Sequence, residues 1–122
     1  MDLRTCYEQL GGSYDDVLSR IPSERLVDKF LRKFLADESF TGLCTAMAAG
    51  SRSEAFLMAH TLKGVCANLG FTRLFRSAAA LTELLRPEAD AIPASAAEAL
   101  EPVREDYALT VGVIRAYIGE IQ

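Results

Sequence analysis

Apolar residues recur at spacings of three and four along most of the chain, and nowhere do they alternate with polar ones over five or more positions. The first pattern marks helices with one buried face; the missing one would mark strands. Glycine and proline cut the pattern into segments. Leu3 to Leu10 reads as a short helix stopped by Gly11-Gly12. Ser13 to about Arg20 begins on a good cap residue and ends before Pro22. Ser23 caps a stronger helix, with Leu26, Val27, Phe30, Phe34 and Leu35 on one side, which weakens around Asp37 to Ser39. A further helix, about Phe40 to Ala49, ends at Gly50, a natural residue just past a helix end. Whether these two run on as one bent element stays open. Ser51 or Ser53 opens the next helix, which reaches Leu69 and stops at Gly70. Phe71 to Leu85 follows, with Leu74, Phe75, Ala78, Leu81 and Leu85 as its stripe, and Pro87 ends it. Glu88 to Pro93 reads as a loop. The last helix carries Leu100, Val103, Tyr107, Val111, Ile114, Ile118 and Ile121. Ser95 with Glu98 has the spacing of a capping box. Pro102 either occupies the first turn of that helix or kinks it.

Four long amphipathic segments joined by short connections predict an all-α protein, an antiparallel four-helix bundle with short N-terminal capping helices packed across one end. The expected layout is one domain over residues 1–122, with residues 1–22 as the cap and 23–120 as the bundle.

Composition narrows the function. The formal net charge is −4, where a nucleic-acid binder would carry a basic excess. No apolar run approaches the ~18–20 residues that span a bilayer, and the start Met1-Asp2-Leu3-Arg4 lacks a signal-peptide layout. Three cysteines, Cys6, Cys44 and Cys66, are odd in number and widely spaced. They argue against a disulfide framework or zinc ribbon, and Cys44 and Cys66 read as small buried hydrophobes. A reducing, cytoplasmic setting is expected, and no dimer seam calls for a second chain, so a monomer is expected. There is one histidine, His60. A metal site built on two imidazoles is therefore impossible within the chain, and no metal ligand set is expected.

Placing residues 53–70 on a helical wheel at ~100° per residue puts Met58, Leu62, Val65 and Leu69 on one side, flanked by Ala55 and Cys66, as the core stripe. His60 points the other way, among Ser53, Phe56, Leu57, Lys63, Gly64 and Ala67. This outer face is unusual. Gly64 costs ~1 kcal/mol relative to Ala in a helix interior. Phe56 and Leu57 are large apolar groups where polar ones belong, while Lys63 reaches the space in front of the imidazole. Phosphoryl carriage suits the patch. A neutral imidazole is a good nucleophile near neutral pH, and a lysine cation stabilises phosphate oxygens. Gly64 removes a side chain where a partner approaches, and Ser53, Phe56, Leu57 and Ala67 give docking area. Asn68 and Gly70 belong to the helix end, the former through its polar side chain.

Ala59-His60-Thr61-Leu62-Lys63-Gly64, followed by Asn68-Leu69-Gly70, resembles the signature of histidine-containing phosphotransfer (HPt) domains. Phe30 and Phe34, Leu43 and Ala46, Leu74 and the Ala-rich helix extend the resemblance over about residues 5–118. It implies that His60 takes a phosphoryl group from the aspartate of a receiver domain and passes it to another, with Lys63 as the phosphate-side cation and Gly64 as the clearance residue. The partners implied are receiver domains of response regulators or hybrid histidine kinases. No glycine-rich phosphate loop is present, so no ATP site of its own and no bound cofactor are expected; Mg²⁺ is expected on the receiver's carboxylates. Two rivals keep the bundle. One is the phosphoacceptor module of a chemotaxis-type histidine kinase, against which the chain's ending at Gln122 counts. The other is a non-phosphorylated interaction module, against which Lys63 and Gly64 beside His60 count. A dimerising kinase helix pair is disfavoured because Thr61, not an acid, follows the histidine.

Overall fold

A computed structural model describes residues 1–88 and 90–121, with side chains through residue 119. Ala89 of the expected loop and the Ile121 side chain of the last stripe lie outside the described residues. Seven helices occupy the described chain: α1 (Leu3–Leu10), α2 (Tyr14–Arg20), α3 (Glu24–Phe34), α4 (Ser39–Ala48), α5 (Arg52–Leu69), α6 (Thr72–Leu84) and α7 (Ala94–Ile121). Successive short connections fold α4, α5, α6 and α7 into the antiparallel four-helix bundle that the spacing predicts. α1 packs along α7, and α2 and α3 bridge to α5.

Local chemistry sets most of the boundaries. Asp2, Ser13 and Ser23 accept hydrogen bonds from the backbone N–H groups of Thr5, Asp16 and Leu26, capping the first three helices. α3 and α4 are two helices rather than one bent one. Asp37 accepts from the Ser39 N–H at 2.9 Å, which favours a turn over continued helix. Pro102 lies well inside α7, so the first-turn alternative falls, and the Glu98 carbonyl lacks the N–H that another residue would supply. The Ser95–Glu98 capping box does not form, because α7 begins at Ala94 and Ser95 already lies in its first turn.

The core runs through the bundle and up into the cap. Several expected stripes turn slightly on their axes. In α5 the fully buried residues are Ala55, Ala59, Leu62 and Cys66, with Leu69 close to it, while Met58 and Val65 are half-buried. The inward face of α5, against α4 and α6, centres on the small Ala55 and Ala59, and the larger Met58 and Val65 lie on the flanks. In α3, Leu31 is buried beside Val27 and Phe34, whereas Leu26 is 45% exposed and Phe30 and Leu35 are half-buried. In α6, Phe75 is half-buried and Thr82 is buried, its hydroxyl donating to the Ala78 carbonyl. Asp106, Thr110 and Tyr117 join the buried face of α7. Asp106 accepts from Arg73 Nε at 2.8 Å, so its burial is compensated. Cys44 is not fully buried: it is half-exposed, with Arg104 Nη1 3.6 Å from its sulfur.

Candidate functional site

α5 is the best-anchored helix of the bundle at one end and open at its middle. Its C-terminal turn leaves carbonyls without intrahelical partners. The Phe71 N–H donates to the Cys66 carbonyl, and Gly70 N–H to that of Ala67, a helix end that requires the left-handed conformation Gly70 adopts at φ 71°. The remaining acceptors are met from the N-terminal segment. Arg20 donates through Nε to the Asn68 carbonyl at 3.2 Å and through Nη2 to that of Ala67. The buried Tyr7 hydroxyl donates to the Leu69 carbonyl at 2.7 Å. Ser13 N–H donates to the Gly70 carbonyl at 2.9 Å. The Gly11-Gly12 pair gains its reason here: a Cβ on Gly12 would stand 2.6 Å from the Gly70 carbonyl oxygen.

Two turns earlier, His60 faces solvent. Its imidazole stacks on the half-buried Phe56 ring, with centroids 5.8 Å apart and 17° between planes. Thr61 turns its hydroxyl back to the Leu57 carbonyl at 2.8 Å, and Leu57 itself is 50% exposed. The half-buried Lys63 lies toward α6. Its charge helps hold the Glu83 carboxyl below the ordinary value, after the larger effect of the hydrogen bonds from Arg86. At Gly64 a Cβ would meet nothing within 4 Å. Ser53, Ala67 and Asn68 are exposed.

The structure therefore brings His60, Phe56, Leu57, Lys63, Gly64 and Ala67 to one face, with Ser53 at its start and Gly70 as the turn beyond its end. Two assignments change. Asn68 serves the helix end through its main-chain carbonyl, not its side chain. Phe56 is packed partly into the core and under His60, so much of its surface is spent on supporting the imidazole. Sequence reasoning missed Tyr7, Asp16 and Arg20. The only signal was the opposite-charge spacing of Asp16 and Arg20 on α2, which says nothing about contact with α5.

His60 sits on an open surface. A concavity of about 830 Å³ lies between α4 and the start of α5, along Gly42, Thr45, Ala49, Glu54 and Met58, on the other flank of the helix. His60 lies on an exposed helix face, outside that concavity. Among the described residues no group of three His, Cys, Asp or Glu comes together to hold a metal ion, and no helix is long and apolar enough to cross a membrane.

Comparison with known proteins agrees with this arrangement. The family model of the Hpt domain matches residues 25–121, and the chain belongs to that family. It is a histidine phosphotransfer module of the kind that carries phosphoryl groups and meets receiver domains in phosphorelays. No curated protein and no solved structure matches the chain.

Proposed function

We propose that His60 is the phosphoacceptor and that the chain relays a phosphoryl group between receiver aspartates. A lone-pair nitrogen of neutral His60 attacks phosphorus on the receiver's aspartyl phosphate. The N–P bond forms as the bond from phosphorus to the aspartate oxygen breaks, the carboxylate leaves, and the imidazole keeps its proton on the other nitrogen. The reverse step hands the group to a second receiver. The receiver brings the aspartate and, on its own carboxylates, a divalent ion such as Mg²⁺ that shields the phosphoryl oxygens. This chain supplies the nucleophile, the stacked support of Phe56, the Lys63 cation and a surface free of obstruction. Positioning and electrostatics carry such a transfer.

The observation that carries this reading is the exposed His60 one turn from a helical glycine whose added Cβ would meet nothing within 4 Å among the described residues. The test is incubation with receiver domains from the same genome, phosphorylated with acetyl phosphate. Acid-labile, alkali-stable phosphate is expected on the wild type and absent from His60→Gln. Label that persists on the variant, or no transfer from any receiver, rejects the assignment. Label that appears only when a kinase domain and ATP are added moves the protein to the chemotaxis-type alternative.

A further inference from the structure

The family match begins at residue 25, so α1 and α2 precede it. α2 nevertheless reaches the face that carries His60. Arg20, its last residue, lines a shallow recess with Gly64, Ala67 and Asn68. Its guanidinium is held from two sides. Nε and Nη2 donate to the Asn68 and Ala67 carbonyls, while Nη1 and Nη2 donate to Asp16 at 2.9 and 2.7 Å. These contacts use four of a guanidinium's five N–H donors and leave one on Nη1. The Arg20 side chain is still 36% exposed.

Three consequences follow from that geometry. A free arginine loses rotamer freedom when a partner fixes it, but this one is already fixed by the fold and can bind without that loss. Its bidentate pair with Asp16 leaves one Nη1 N–H outside it on a partly exposed side chain, so an incoming carboxylate can reach the guanidinium without breaking that pair. Its position, beside Gly64, lies at the edge of whatever covers His60.

We propose that Arg20 is a docking residue, donating to an acidic side chain of the receiver that passes over Gly64. The segment before the family match thus adds a contact to the docking face. The proposal rests on receiver docking at His60. Arg20 touches neither the imidazole nor Lys63 in the structure, so its effect falls on docking, not on the transfer step.

The experiment is transfer from acetyl-phosphate-charged receiver, titrated to saturation. Arg20→Ala is expected to raise the half-saturating receiver concentration roughly tenfold, the size of one charge-assisted hydrogen bond, with the saturated rate unchanged. Asp16→Ala, which keeps the guanidinium on its two carbonyls, is expected to leave half-saturation at or below the wild-type value. An unchanged half-saturation in Arg20→Ala overturns the proposal. So does an equal rise in both variants, since that assigns the effect to the clamp of α2 on α5. Should Arg20→Ala lack the wild-type circular-dichroism spectrum, Arg20→Gln carries the same comparison. A wild type that transfers nothing rejects the relay itself, whereas a wild type that transfers and an Arg20→Ala that matches it reject only this contact.

Discussion

Gly64 and Gly70 lie on one helix and its end, and they are glycines for opposite reasons. Gly70 is buried, its backbone is left-handed at φ 71°, and a Cβ there would stand 2.9 Å from the Ser13 carbonyl and 3.2 Å from Val17 Cβ. The chain itself needs that glycine. Gly64 is exposed in ordinary helical backbone with open space around it. Among the described residues nothing within 4 Å of it requires a glycine, and it weakens the helix. Gly112 and Gly119 in α7 are equally open, so empty space alone says little. Gly64 differs in its company, one turn from His60 and next to Lys63, and under the proposed relay it is a concession to the docking receiver. One end of α5 is fixed by internal contacts, and its middle is open, which is where the proposed relay needs a partner to dock.

The largest expected effect is on transfer. Gly64→Leu should slow it roughly 100-fold or more by displacing the docked receiver, while the melting temperature holds or rises. Stopped-flow or gel-based transfer beside a thermal melt checks this, and a lowered melting temperature would place Gly64 with Gly70 as a structural glycine. Gly70→Ala should show the reverse split. It should lose about 2 kcal/mol or more from the left-handed backbone and the crowding at Ser13, read in denaturant unfolding. Transfer by its folded fraction should stay near wild type.

Tyr7→Phe removes the donor from the Leu69 carbonyl and should cost about 1–2 kcal/mol, again with transfer preserved in the folded fraction. A variant that instead lost transfer while keeping its stability would break the division between anchored end and working face. The smallest effect appears only at alkaline pH. Burial pushes the Cys6 thiol up to about 11 and the Cys66 thiol up to about 12, from an ordinary 9.0. The folded state keeps protons that the unfolded chain releases, so the thiol contribution is whole below pH 9 and is lost as the pH rises toward 12. Alkaline titration of unfolding should show this fall, and Cys66→Ala should flatten it.

Much of the site was legible because it lies within one helix. A wheel over residues 53–70 suffices to separate His60, Lys63 and Gly64 from the core, since their relation is fixed by helical geometry. The same wheel misplaced the centre of the buried stripe. It weighs Met58 and Val65 by hydrophobicity, whereas the face buried against α4 and α6 centres on Ala55 and Ala59. Leu26 shows the same limit: a large apolar residue at core spacing ended 45% exposed because α3 meets the bundle on a narrower face.

Helix starts and stops, the all-α class and the outward histidine came from the sequence by itself, because caps, glycine breaks and periodicity are local properties of a few consecutive residues. The contacts of Tyr7, Ser13 and Arg20 with the end of α5 were decided only by the tertiary structure. They join groups about fifty or sixty residues apart through main-chain carbonyls. A carbonyl carries no mark of side-chain identity, so the sequence has no letter that announces it.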